Sequence, residues 1–396
     1  MDLELILQTA QQHLEAGQSP SNQGHLDIAV YLYGEAIKVD PNNADAHSNR
    51  GIAHSILKRY EEALVDFTTA IVLEPRNAVL YICRGNTYYY LGKYNEALAD
   101  LTTAITFNPR DATAYDVRGC VFNKLEKYDE AIADLTKAIT LDSNFTDAYI
   151  NRAIVFKARG RFEEAVVDLT KAIELLPTCL IAYQIRAHTL TELEKYDEAI
   201  IDSTKAIELK PDSAVDYTNR GSTYISLEKY DEAIADLTKA IELLPTCAIA
   251  YHNRGSAHLI LKRYNEALAD LTKAIELDPS SPTTYNNRGA VFNKLKRYNE
   301  AIADLTTAIE LKPTSSSSYG LRGDAYRLTG NTASAENDYR TALEIFSRTE
   351  TKTQKSYIWA IRAERGLIRL GISTETTIEQ EALRARIVTP EKLEHI

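Results

Sequence analysis

The sequence predicts an all-α fold built from repeated helix pairs. Three observations carry that expectation. Proline recurs at intervals of 34 residues or a multiple of 34 (Pro41, Pro75, Pro109, Pro177, Pro211, Pro245, Pro279 and Pro313), with Ser143 in the one vacant place. Alanine holds two places in every period, one from Ala29 to Ala335 and the other from Ala36 to Ala342. Within each period the apolar residues form two stripes of helical spacing, parted by a polar turn.

The elements follow in chain order. Counted from the prolines, repeats begin at Ala10, Ala44, Ala78, Ala112, Thr146, Leu180, Ala214, Ala248, Pro282 and Ser316. Residues 1–43 read as an N-terminal capping helix, a polar insertion from Gln18 to Gly24 and a degenerate first repeat. Residues 44–315 hold eight regular repeats, and 316–349 a degenerate tenth. Residues 350–396 read as a C-terminal capping helix with Tyr357, Ile361 and Leu367 facing inward, then a polar tail with a short helix through Glu379 to Arg386. Caps are needed because a stack exposes an apolar face wherever it stops. Trp359, the single tryptophan, is either part of the cap or an anchor for a partner.

The repeat from Ala214 to Cys247 shows the local logic. Tyr217, Gly221 and Tyr224 share one face of the first helix, and Ala233, Leu237 and Ala240 share one face of the second. Asp231 and Glu232 open the second helix, where its dipole favours negative charge. Pro245 then stops it, having no backbone N–H to continue the ladder. Small residues at repeat positions eight and twenty let the two helix axes approach closely.

This pattern resembles the tetratricopeptide repeat family: an aromatic at positions four and eleven, small residues at eight and twenty, alanine at twenty-seven and proline at thirty-two, over about residues 10 to 349. The Asn-Arg-Gly first helices and AIADLTKAIEL second helices look like multi-repeat proteins of bacteria, cyanobacteria especially. The resemblance implies antiparallel helix pairs stacked into a right-handed superhelical solenoid of about ten units, with the first helices lining a concave groove.

Where the family usually has leucine, position seven carries arginine nine times, and position twenty-three carries nine aspartates. An antiparallel hairpin brings those positions to similar heights, so Arg84 is expected to pair with Asp100, Arg220 with Asp236 and Arg254 with Asp270. Either this is a structural ion-pair ladder or the arginines bind an anionic ligand. Position twenty-four is large and apolar or aromatic except at Ser203, a soft spot in the core or a hinge.

Chemistry narrows the function. With 45 Lys and Arg against 56 Asp and Glu, the net charge is −11, which disfavours nucleic acid and anionic membrane surfaces. No window has the apolar length of a membrane span, and the acidic start MDLELILQTAQQHL is unlike a secretory signal. Four cysteines without CxxC spacing indicate neither a zinc site nor a disulfide framework, so a cytoplasmic protein is expected. There is no HExxH, GxSxG or phosphate-cradling glycine loop; neither catalysis nor a metal or cofactor is expected.

What remains is the groove. The resemblance places positions two, five, six, nine, twelve and thirteen along it. Asn49, Asn151, Asn219, Asn253 and Asn287 stand at position six, and an amide both donates to and accepts from a peptide backbone. This partial ladder is similar to the one in the superhelix of the O-linked N-acetylglucosamine transferase family. Around the third to sixth repeats the lining is apolar, with Val79, Ile82, Tyr89, Tyr90, Ile150, Ile154, Ile181 and Ile185; farther on, asparagines make it polar. The lysines and arginine of the chaperone-adaptor carboxylate clamp are missing from positions two, five and six. The expected function is a protein-interaction scaffold or adaptor that binds a protein or peptide segment in the groove, during assembly or regulation of a larger complex. The alternative is a substrate-recognition subunit for a separate modifying enzyme. Self-association through the apolar stretch competes with both.

Overall fold

In a computed structural model, the residues described are 3–17, 23–349, 352–372, 377–379, 382 and 387–388. Among them there is no strand, and helices follow one another through tight turns. Most of the expected insertion at 18–24 and of the short helix at 379–386 lies outside the described residues. The chain divides into two compact units, Met1–Lys195 and Tyr196–Ile396. The division falls within the sixth repeat, whose second helix carries Ser203, buried at 4% exposure.

The N-terminal unit runs α1 (Leu3–Ala16), α2 (Gln23–Val39), α3 (Ala44–Ile56), α4 (Tyr60–Leu73), α5 (Ala78–Tyr90), α6 (Tyr94–Phe107), α7 (Ala112–Lys124), α8 (Tyr128–Leu141), α9 (Thr146–Ala158), α10 (Phe162–Leu175) and α11 (Leu180–Glu192). The C-terminal unit runs α12 (Tyr196–Leu209), α13 (Ala214–Ser226), α14 (Tyr230–Leu243), α15 (Ala248–Ile260), α16 (Tyr264–Leu277), α17 (Pro282–Lys294), α18 (Tyr298–Leu311), α19 (Ser316–Leu328), α20 (Thr332–Arg348) and α21 (Gln354–Arg369). Within each unit, each helix packs on the next, and first helices of adjacent repeats also touch.

From the second repeat to the tenth, the hairpin closes on repeat position fifteen, which sits in the left-handed region whether it is Gly92 and Gly160 or the side-chain-bearing Lys58, Glu126 and Glu228. That turn satisfies the last carbonyls of the first helix: the Glu228 amide donates to Ile225 O at 3.0 Å and the Lys229 amide to Tyr224 O at 2.9 Å. Asn43, Ser213 and Ser315 cap the starts of α3, α13 and α19 with their side-chain oxygens.

Close approach within a hairpin depends on position eight. A Cβ built on Gly221 would lie 2.9 Å from Leu237 Cγ, and one on Gly255 2.8 Å from Leu271 Cγ. Position twenty-four therefore rests directly on the first helix, and Leu101, Leu135, Leu237 and Leu271 have no exposed surface. The C-terminal end is covered by α21, where Tyr357, Ile361 and Leu367 are buried. Gly366 lets α21 settle against the Tyr339 ring; Tyr339 Oη donates to Asp324 Oδ1 at 2.7 Å, and Arg362 Nε donates to Asp324 Oδ2 at 2.6 Å.

Candidate functional site

Arg84, Arg220 and Arg254, at position seven, are fully engaged. Arg84 reaches Asp100 through Nε and Nη2 at 2.7 and 2.8 Å, Arg220 reaches Asp236 at 2.7 and 2.8 Å, and Arg254 reaches Asp270 at 2.8 and 2.7 Å. These are two-pronged forks within one repeat. The third nitrogen crosses to the preceding repeat: Nη1 of Arg84, Arg220 and Arg254 donates to Thr68, Thr204 and Thr238 at 3.2, 2.9 and 3.0 Å. Each guanidinium also lies near the position-four ring, as Arg220 does 5.8 Å from the Tyr217 centroid. The hydrogen bond to aspartate holds these three arginines above their ordinary pKa. A guanidinium with all these partners has no free fork for an anionic ligand. The aspartates are buried and the arginines partly so, which makes the ladder part of the packing.

On the first-helix face of the N-terminal unit, Val79, Tyr90, Ile154 and Ile181 are exposed, at 54, 59, 37 and 57%. Tyr90 stacks on Tyr60 at 5.4 Å and receives Tyr89 edge-on at 5.4 Å, so three aromatic rings form one shelf. Tyr89 is half-buried, and burial pushes its phenol up to about 12.

Ile82 and Ile150 correct the sequence reading. Both are buried: Ile82 packs with Ala97, Leu101 and Ala114, and Ile150 with Ala153, Leu169 and Ala182. Ala114 and Ala182 belong to position three of the following repeat, so position five faces the neighbouring first helix and not an open groove. Asp116 holds the same place. It is 7% exposed and accepts a hydrogen bond from Asn151 Nδ2 at 3.0 Å; burial raises its carboxyl to about 6 against the pull of that bond. Burial likewise pushes the nearby Cys120 thiol up to about 12, so it is a poor nucleophile.

The asparagines divide by environment. Asn151 is tied to Asp116, and Asn287 donates to Ser256 Oγ of the preceding repeat at 2.9 Å. Asn49 bonds to Tyr33, whose phenol burial pushes up to about 12. Asn219 is exposed and Asn253 half-buried, and neither side chain makes a hydrogen bond among the described residues. The row is therefore not uniform: inter-repeat bonding takes part of the capacity of three members, and two face outward unengaged. The same face carries aliphatic residues that attention to position six passed over. Val215 and Ile249, at position two, are 60 and 65% exposed, repeating the pattern of Val79 and Ile181. Position two read down the repeats was the available signal.

No described helix is long and apolar enough to cross a membrane. Helix hairpins stacked at a fixed period, most of them clamped by an arginine–aspartate fork among the described residues, define an α-helical repeat protein. Tetratricopeptide repeat profiles match residues 44–77, 78–111, 146–179, 214–247 and 248–281, and related profiles of the same repeat match 22–55, 112–145, 180–213 and 280–348. The chain belongs to the tetratricopeptide repeat family. No curated protein matches it. Among solved structures it is similar to YrrB, described as a TPR protein with an unusual peptide-binding site, at 25% identity and TM-score 0.41 over 45% of this chain and 92% of that one. It is similar also to a tetratricopeptide repeat protein from Parabacteroides merdae, at 24% identity and TM-score 0.46 over 62% and 98% of the two chains. A third likeness is to the APC/C hetero-tetramer Cut9–Hcn1, at 15% identity and TM-score 0.46 over 97% and 86%.

Proposed function

We propose that the chain is a protein-interaction scaffold whose first-helix faces hold a segment of a partner, in the assembly or regulation of a larger complex. The observation that carries this reading is the aliphatic row at position two. Val79, Ile181, Val215 and Ile249 are each more than half exposed on the first helix of their repeat, a place where the hairpin gains nothing from an apolar side chain. In the N-terminal unit the Tyr60, Tyr89 and Tyr90 shelf adds an apolar anchor. In the C-terminal unit the Asn219 and Asn253 amides add donors and acceptors suited to a peptide backbone.

Photo-crosslinking residues placed at Tyr90 and Asn253, with a control at Val167 on α10, test the proposal. Val167 is 68% exposed on a second helix. Capture of the same partner from both first-helix positions and not from 167 supports it. Capture from 167 alone would sink it.

A further inference from the structure

At the C-terminal end of the second unit, α15, α17, α19 and α21 line an open cavity of about 900 Å³. Its apolar wall includes Leu259, Ile260, Leu328 and Trp359, and its lining also includes Lys262, Lys294, Arg327, Arg362 and Arg369. The one lining carboxylate, Asp324, is already spent: it accepts from Tyr339 Oη and pairs with Arg362. Lys262, Lys294, Arg327 and Arg369 have no carboxylate within 4.0 Å among the described residues. Four cations without a carboxylate partner, of which Arg327 also hydrogen-bonds the Tyr339 hydroxyl, stand out around one cavity in a chain of net charge −11.

The wall is also short of hydrogen bonds. Asn293 donates through Nδ2 to Leu321 O at 2.9 Å, but its Oδ1 is buried without a partner, and so is Arg327 Nε. Buried polar atoms are normally satisfied. Here an unpaired acceptor and an unpaired donor belong to residues of the same cavity. Trp359 also lines a second cavity of about 360 Å³ with His252, Asn286 and Asn287, so a polar site adjoins the basic one.

We propose that this cavity seats an acidic, aliphatic peptide segment of the partner. Its carboxylates meet the Lys262, Lys294, Arg327 and Arg369 rim, and its apolar side chains pack on Leu259, Ile260 and Trp359. The proposal rests on the scaffold reading and narrows it to one chemistry at one place. The volume lies within the range of about 300–1,000 Å³ typical of sites for small organic ligands. An inorganic anion would leave the apolar wall unused, whereas alternating acidic and aliphatic side chains use both surfaces. The cations come from repeat positions twelve, thirteen and fifteen and from the cap, so the site is distinct from a clamp at positions two, five and six.

Trp359 is the single tryptophan and lines both cavities, so its emission reports on that end of the unit. The full chain is titrated with a synthetic decapeptide of alternating Glu and Leu, with its Lys and Leu counterpart, and with inorganic pyrophosphate. The expected result is a blue shift with the Glu/Leu peptide only, at least a tenfold loss of affinity between 50 and 300 mM salt, and at least a tenfold loss in the Lys294→Glu, Arg327→Glu double variant. Lys262→Gln, at an exposed turn, is expected to weaken binding severalfold and serves if the double variant does not fold by circular dichroism. No shift with the Glu/Leu peptide, an equal shift with the Lys/Leu peptide, affinity unchanged by both sets of variants, or pyrophosphate alone reproducing the response would each overturn the proposal. If the peptide fails while crosslinks from Tyr90 and Asn253 still capture a partner, the scaffold reading stands and only this assignment falls.

Discussion

Replacing Arg220 by alanine separates a packing ladder from surface decoration. Arg220 makes the two-pronged bond to Asp236 and the bond to Thr204 of the preceding repeat, and 16% of its side chain and 10% of that of Asp236 are exposed. Removing the arginine leaves Asp236 buried between helices with no cation to meet it. Breaking a buried pair on one side costs about 3–5 kcal/mol, and the partial exposure of Arg220 puts the expectation at the lower end, about 3 kcal/mol. Arg220→Met combined with Asp236→Leu removes both charges while keeping apolar volume, and should lie within about 1 kcal/mol of wild type. Urea unfolding of the full chain, followed by far-UV circular dichroism, reads both variants. A loss under about 1 kcal/mol for Arg220→Ala, or a double variant as weak as the single one, would refute the reasoning.

Other expectations follow from single groups. Asp116 has a folded-state carboxyl near 6, above the value of about 3.9 for an exposed aspartate, so the native state binds the extra proton. Its contribution to stability is present below about pH 4 and falls away as pH rises through about 6, a loss of about 3 kcal/mol. Asp116→Asn should therefore be more stable than wild type in urea at pH 7.5 and nearly equal at pH 4; equal behaviour at pH 7.5 would count against the burial of that charge. Glu228 holds the left-handed turn position at φ 59°, so Glu228→Gly should raise stability by up to about 1 kcal/mol in the same assay, relief of strain exceeding the added chain entropy. A Cβ at Gly366 would overlap the buried Tyr339 ring, so Gly366→Val should displace the cap at a cost of about 1–3 kcal/mol and red-shift Trp359 emission.

The hairpins were legible because each depends on residues within one 34-residue period. Alanine at twenty, glycine at eight against leucine at twenty-four, and arginine sixteen residues before aspartate are local relations that recur until chance is excluded. Relations between repeats were harder to read. Whether Ile82 and Ile150 line a groove or fill an interface depends on the tilt of one hairpin on the next, and composition carries no record of that angle. Their burial in one cluster with Ala114 and with Ala182 shows that position five is covered. The same blindness affected Asn151 and Asn287, whose amides are partly taken by the preceding repeat. The basic cavity escaped for a different reason. Lys262, Lys294 and Arg327 occupy three different repeat positions, and Arg362 and Arg369 belong to the cap, so no column of aligned repeats displays them together. Glutamate and lysine at the left-handed position fifteen were equally inconspicuous, because the turn tolerates them at modest strain.

The most direct test of the central claim compares two faces of the protein in one capture experiment. Tyr90→Glu, Ile154→Glu and Ile181→Glu together charge the first-helix face, and Val65→Glu, Val167→Glu and Ile201→Glu charge the second helices at sites more open to solvent. With circular dichroism confirming that both triple variants fold, the partner captured by wild type should be lost, with at least a hundredfold drop in affinity, from the first variant and retained by the second. Retention by the first variant with loss from the second would contradict the assignment of binding to the first-helix face.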